Sequence, residues 1–269
     1  MIKKAPQDAS NSIKGTIYQF YEAVNWCWKL TKGQKLYIEK YGDISISNHV
    51  NIEVKQYKED LTDSHENLWK TLSNWLNDNF DESSYSSLIL LTTQSIGVKS
   101  QLQHWNEKRS CEKLVILKDI YSHAEFRYEQ KLTLANANSS EKKPLPPKYM
   151  RAIFKDNYDE TNLLNILDKF VILDSSPMLS ENFQKIIEVY GKSVLDKNRE
   201  TFIYAQLGYI LSPKVIESNG WSISYADFAE EISLLTEQLS SNSRIFPSKY
   251  FNTDLSLNES VSDELYVTK

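Results

Sequence analysis

The sequence predicts an α/β protein in which helices flank a mixed sheet, followed by a mainly helical region. Residues 16–91 switch between helical spacing and a period of two, in the order helix, three strands, helix, strand. After residue 147 helical spacing predominates. Hydrophobic residues make up 41% of the 269 residues, so the chain can bury a sizeable core.

The first helix is predicted from Thr16 to about Lys32. Its apolar residues recur at helical spacing, and the pattern ends next to Gly33, a residue that commonly terminates helices. Residues 1–12 are polar and are predicted to form a loose tail.

Three short segments with alternating apolar and polar residues follow, and they predict a meander or hairpin of strands. They span 36–39, 43–47 and 50–57. Gly42 lies between the first two segments and Asn48-His49 between the last two, where tight turns favour such residues.

The rest of the chain divides around one linker-like segment, 136–147, which is rich in Asn, Ser and Pro. The predicted elements are an amphipathic helix at 68–76, a strand buried on both faces at 88–91, a long helix at about 98–135, a helix at 161–169, a strand at 170–174, and helices at 179–190, 197–211 and about 225–239. Ser224 and Asp227 resemble a capping box that opens the last helix. The predicted organisation is a core with its long helix at 1–135, the linker at 136–147, a mainly helical region at 148–239 that packs on the core or on a partner, and a polar tail at 240–269 or the start of a truncated C-terminal region.

Bulk properties narrow the function classes. No apolar run approaches the roughly 18–20 residues of a membrane span, and no signal peptide follows the first lysines, so a cytoplasmic protein without membrane contact is expected. The net charge of −5 disfavours a protein that coats DNA through overall charge. Any DNA groove would have to be local or completed by a partner. The two cysteines and four histidines lack metal-ligand spacing, so no zinc site is predicted.

Polar residues of the second and third predicted strands carry the candidate chemistry. Side chains alternate along a strand, so Glu53 and Lys55 share one face, and a hairpin would bring Asp43 beside Glu53. Glu39, at the end of the first strand, could join them as a metal ligand. Carboxylate oxygens suit Mg²⁺, and a neighbouring lysine can orient water or neutralise charge during phosphodiester hydrolysis. We expect this polar face to contribute little to the core. The alternative is a solvated face or a cross-strand ion pair without catalysis.

Several segments resemble the double-stranded-DNA endonuclease domain of bacterial anti-phage effectors, the cutting module of CBASS effectors and of Lamassu. The likeness spans about residues 13–106, and a less specific segment lies at 220–228. The motifs that carry it are Gly15-Thr16-Ile17-Tyr18-Gln19, Ile38-Glu39-Lys40-Tyr41-Gly42-Asp43-Ile44, Glu53-Val54-Lys55-Gln56-Tyr57, Leu68-Trp69-Lys70-Thr71-Leu72-Ser73-Asn74-Trp75-Leu76 and Leu90-Leu91-Thr92-Thr93-Gln94. Asp43, Glu53 and Lys55 match the PD-(D/E)xK pattern of such nucleases with the spacing D-x(9)-E-x-K.

The resemblance implies a restriction-endonuclease-like core that cleaves double-stranded DNA with Mg²⁺, for which Mn²⁺ can substitute. It implies catalytic roles for Asp43, Glu53 and Lys55, with Asp43 and Glu53 as metal ligands. Gln19 matches the family's helix glutamine, which lies near the metal. In many relatives a glutamine stands where this chain has Glu53, so the ligand set stays open.

The shorter region after the linker fits a Lamassu-like system better than a CBASS effector, which carries a nucleotide-sensing module of a few hundred residues. The implied partners are an SMC-like ATPase and an accessory subunit, and self-association is expected on activation, because one site cuts one strand at a time. Two alternatives stay open: the nuclease part of a CBASS-type effector, and a non-catalytic DNA-binding or protein-interaction module on a nuclease-like fold. A P-loop is excluded because Ile186 stands where the motif needs its first glycine before Gly191-Lys192-Ser193.

Overall fold

A computed structural model describes residues 10–137, 144–156, 159–217 and 220–240. In these ranges the α-helices are α1 Ser10–Cys27, α2 Glu66–Trp75, α3 Ser110–Ala137, α4 Lys148–Arg151, α5 Glu160–Lys169, α6 Leu179–Tyr190, α7 Arg199–Ile210, α8 Pro213–Ile216 and α9 Tyr225–Ser240. The strands are β1 Lys35–Ile38, β2 Ile44–Ile46, β3 Val50–Lys55, β4 Ser87–Thr92, β5 Phe170–Leu173 and β6 Ser222–Ser224. Single turns of 3₁₀-helix lie at Glu82–Ser84, Trp105–Glu107, Gly191–Ser193 and Asp196–Asn198, and a π-helical turn, Ala152–Asp156, continues α4.

The strands form one mixed six-stranded sheet in the order β5-β4-β3-β2-β1-β6. β1, β2 and β3 form the predicted antiparallel meander, whereas β3, β4 and β5 run parallel. Parallel neighbours need a crossover connection, which α2 supplies between β3 and β4. The prediction of an α/β fold with a mixed sheet flanked by helices is therefore confirmed.

Helices cover both faces of the sheet. One hydrophobic cluster contains Ile52 and Val54 of β3 with apolar residues of α1, α6, α7 and α9. The other contains Leu88 and Leu90 of β4 with residues of α2, α3 and α5. Because side chains alternate along a strand and the β3–β4 register pairs Glu53 with Leu90, Glu53 points to the face that α2 covers.

The sheet takes strands from both sides of the predicted linker. β5 pairs with β4 at one edge, and β6 pairs with β1 at the other. The sequence predicts the strand at 170–174 but not β6, and it predicts neither pairing. Residues 138–143 of the predicted linker 136–147 lie outside the described residues. The two ends of the chain, residues 1–9 and 241–269, lie outside them as well.

Two helix boundaries differ from their predictions. The first helix begins at Ser10, six residues before the predicted start. The long helix begins at Ser110, not near residue 98. Residues 98–109 instead form turns, because Asp63 accepts hydrogen bonds from the Ser100 hydroxyl and the Gln101 amide, and His104 adopts a left-handed backbone with φ of 57°. The predicted capping box of the last helix is present in part: the Asp227 amide donates to the Ser224 hydroxyl, and that hydroxyl donates to the Asp227 carboxylate.

Across the described part of the chain, no helix combines the length and the apolarity needed to cross a membrane.

A buried hydrogen-bond pair fixes the covering helix to the sheet. Asn51 of β3 is fully buried, its side chain accepts a hydrogen bond from Trp75 Nε1 at 2.8 Å, and it donates to the carbonyl of Tyr41 at 2.5 Å. We expect Asn51→Ala to lower the free energy of unfolding by about 1–3 kcal/mol, because the buried Trp75 N–H loses its acceptor. Urea unfolding measures this change. Asn79→Ala, at an exposed asparagine, should change it by less than about 0.5 kcal/mol; equal losses in both variants would contradict this role for Asn51.

Candidate functional site

The hairpin of β2 and β3 brings together the acids and the lysine that the sequence singles out. The register pairs Ile44 with Ile52, so Asp43 lies across from Glu53. Lys55 Nζ lies 2.8 Å from Glu53 Oε2 and 3.1 Å from Asp43 Oδ2. The juxtaposition expected from strand parity is therefore confirmed, although a catalytic role for these residues stays a prediction.

Backbone and helix contacts hold the two carboxylates in place. The Val54 N–H donates to Asp43 Oδ2 at 2.7 Å, which anchors that carboxylate across the hairpin. Glu53 is only 4% exposed, and Asn74 of α2 lies within 3.5 Å of its carboxylate. The expectation that this face contributes little to the core is wrong for Glu53, because α2 packs over it.

Gln19 of α1 connects Glu39 to the same centre. Its amide Nε2 donates to Glu39 Oε1 at 3.0 Å and to the backbone carbonyl of Asp43 at 2.8 Å. Gln19 is buried, whereas Glu39 is exposed and sits at the turn after β1 with a left-handed φ of 56°. Gly42, with φ of 124°, completes this turn in a conformation that L side chains rarely adopt. All five predicted site residues therefore meet at one end of the hairpin, with Glu39 in contact through Gln19.

Burial and charge oppose each other within this cluster. Burial raises the pKa of Glu53, the neighbouring Asp43 charge raises it further, and Lys55 only partly offsets both. Burial alone would lower the pKa of Lys55, but the carboxylates of Glu53 and Asp43 outweigh it, and the Lys55 pKa is raised. When both carboxylates are ionised, they and the Lys55 ammonium carry a net negative charge in a largely buried site. Such a charge favours the binding of a further cation.

The donor chemistry fits a hard divalent cation with an incomplete protein shell. Among residues 10–137, 144–156, 159–217 and 220–240, no group of three or more His, Cys, Asp or Glu side chains is arranged to hold a metal ion. Mg²⁺ often takes one or two carboxylates and keeps several waters, so Asp43 and Glu53 would suffice as its protein ligands. Glu39 reaches this centre through its hydrogen bond with Gln19, and its ligation of a metal stays a prediction.

The raised pKa of Glu53 gives a pH dependence that can be measured without metal. The folded protein holds this proton to higher pH than the unfolded chain does, so the stabilisation is full below the ordinary glutamate range and is lost as pH rises through the folded pKa. In EDTA, the unfolding free energy of the parent should therefore fall relative to that of Glu53→Gln as the pH rises above the ordinary glutamate range. Parallel urea-unfolding curves for the two proteins across these pH values would contradict the assignment.

The sequence analysis missed the groups that enclose the site. Asn74 and Trp75 belong to a helix that the sequence predicts, but their contacts with Glu53 and Asn51 join residues more than twenty positions apart. The one local signal was the polar Asn51, which shares the parity of Glu53. A fully buried polar residue on that face indicates a covering element that supplies its hydrogen bonds.

No family model, curated protein or solved structure matches this chain significantly.

Proposed function

We propose that this protein is a Mg²⁺-dependent endonuclease that cleaves double-stranded DNA, built on a restriction-endonuclease-like core. The observation that carries the proposal is the contact of Lys55 with both Asp43 and Glu53, at 3.1 and 2.8 Å, in a mostly buried hairpin. An exposed strand pair would gain little from such an arrangement, whereas phosphodiester hydrolysis needs carboxylates for a metal and a cation for the developing charge.

Each residue has a distinct part in the proposed reaction. Asp43, anchored by the Val54 N–H, and the buried Glu53 would hold Mg²⁺ or Mn²⁺. A metal ion held there would supply an activated water and would offset negative charge on the phosphate. Lys55 orients the water and neutralises the charge that develops on the phosphate. Gln19 keeps the Asp43 backbone in register with α1 through its hydrogen bond to the Asp43 carbonyl.

The biological setting follows from the sequence resemblance. We propose that the protein is the cutting effector of a bacterial anti-phage system, Lamassu-like, with an SMC-like ATPase and an accessory subunit as partners, and that it acts in abortive infection. The nuclease part of a CBASS-type effector is the alternative setting. The overall charge of −5 supports control by assembly, since an isolated subunit attracts DNA poorly over long distances and several copies would be needed to build a groove.

Plasmid cleavage tests activity and assembly together. We expect supercoiled DNA to be cut in Mg²⁺ and not in EDTA, and the rate to rise faster than linearly with protein concentration, in step with a larger species on a sizing column. A cleavage rate that rises only linearly with protein concentration, in a sample that stays strictly monomeric, would refute control by assembly. Absence of cleavage at every concentration, in Mg²⁺ and in Mn²⁺, would refute the nuclease.

A non-catalytic module on the same fold is the second candidate, and one observation favours it. Lys55 already pairs with both carboxylates, so the cluster is satisfied as a buried ion network that could serve the fold alone. Calorimetry separates the candidates, because a purely structural network has no reason to bind Mg²⁺ or Mn²⁺.

A further inference from the structure

A recess of about 690 Å³ opens beside Glu53 on the face that α2 covers. Two aromatic pairs line it. Tyr37 and Tyr41 meet edge to face with ring centroids 5.2 Å apart, and Phe80 and Tyr85 stack at 5.5 Å. Tyr41 is 47% exposed, so much of its ring is open to a ligand.

Polar groups in the same recess complement these rings. The Lys40 ammonium lies 5.0 Å from the centre of the Tyr37 ring and 5.1 Å from that of Tyr41. The side chains of Asn74, Asn77 and Asn79 also line the recess, and all three are exposed. Rings for stacking, amides that can pair with base edges, and a cation for phosphate are the groups that bind a nucleotide.

The position of Glu53 links this recess to the proposed cleavage centre. Glu53 lines the recess and also contacts Lys55, so a nucleotide held there would lie next to the cluster of Asp43, Glu53 and Lys55. A volume of this size falls within the roughly 300–1,000 Å³ of small-ligand pockets. A base in an intact duplex is stacked between its neighbours and cannot reach a ring-lined recess unless it leaves the helix.

We propose that the recess binds an unpaired nucleobase of the strand being cut, so that DNA with a locally unpaired nucleotide is the preferred substrate. This inference rests on the proposed nuclease function for its biological meaning. Tyr41 supplies the accessible stacking ring, the asparagine amides contact the base edge, and Lys40 lies near the adjoining phosphate.

Binding in EDTA tests the recess without cleavage. The probes are two fluorescein-labelled duplexes of one sequence, one fully paired and one with a single unpaired nucleotide at its centre, measured by anisotropy. We expect the parent to bind the second duplex about tenfold more tightly, the size of effect that one base–ring stack produces. Tyr41→Ala should remove this preference and Tyr41→Phe should keep it. Phe126→Ala, at a ring that is 60% exposed on α3 outside the recess, should also keep it.

Equal affinity of the parent for both duplexes, or loss of the preference in Phe126→Ala as much as in Tyr41→Ala, would overturn the proposal. A free deoxynucleoside monophosphate that displaces the unpaired duplex at equal concentration would assign the recess to a free nucleotide instead. The nuclease proposal fails separately: a parent that prefers the unpaired duplex but cuts nothing in Mg²⁺ refutes the nuclease and retains the base site. Cleavage without any preference refutes the base site alone.

Discussion

Asp43→Ala and Glu53→Ala should each lower Mg²⁺-dependent cleavage of plasmid DNA at least about a thousandfold. A bound metal contributes several kcal/mol to stabilising such a transition state, and each 1.4 kcal/mol is a factor of ten in rate. Both variants should also lose the heat of Mg²⁺ binding in calorimetry. The fold should survive in both variants, because Lys55 contacts both carboxylates and each substitution leaves it paired with the other one.

The matched control is Asp78→Ala, which removes an exposed carboxylate from the segment after α2. It should cut DNA like the parent. Glu53→Gln adds information, because an amide oxygen can also bind a metal; partial activity in Glu53→Gln together with none in Glu53→Ala would identify Glu53 as an oxygen ligand. If Asp43→Ala or Glu53→Ala cuts duplex DNA at the parent rate, the proposed metal site is wrong.

Lys55→Ala should abolish cleavage but keep, and even strengthen, the binding of Mg²⁺. Lys55 Nζ lies between the Asp43 and Glu53 carboxylates, so its removal leaves their charges unopposed and a divalent cation gains their full attraction. The same repulsion should destabilise the metal-free variant, and Mg²⁺ should restore its stability by binding the folded state. Calorimetry and urea unfolding with and without Mg²⁺ measure the two effects.

Lys70→Ala, at an exposed lysine of α2, is the control for a general change in charge. It should alter neither cleavage nor the stabilisation by Mg²⁺. Loss of Mg²⁺ binding in Lys55→Ala would show that the lysine shapes the metal site and does not act only on the developing charge. Retained cleavage would remove Lys55 from the mechanism.

Local patterns in the sequence predict the centre of the sheet and the meeting of the site residues. Alternation over 36–57 identifies the meander, and the turn at Gly42 together with strand parity places Asp43 beside Glu53 and Lys55. These features depend on neighbours a few positions away, for which period and turn chemistry are direct signals.

Contacts between distant segments could not be predicted in this way. The three residues of β6 carry no strand signal of their own, and their place in the sheet depends on pairing with β1. The covering of Glu53 by α2 depends on the contact of Trp75 with Asn51; the polar Asn51 hints at a covering element, but nothing local in the sequence identifies Trp75 as its partner. A one-residue change of helix phase would turn Trp75 away, so such contacts need the packed fold to define them.

The sheet order also sets when the proposed cutting site is completed during synthesis. β6 forms an edge strand beside β1, and the Ile38 amide donates a hydrogen bond to the carbonyl of Trp221. In a nascent chain, the outer edge of β1 therefore lacks its pairing strand until residues 221–224 have emerged from the ribosome. β1 carries Tyr37 and leads directly to Glu39. A translation product that stops before residue 221 therefore leaves unpaired N–H and C=O groups along the strand next to the site. Such fragments should aggregate or be degraded, which would confine the proposed cleavage activity to chains long enough to carry β6.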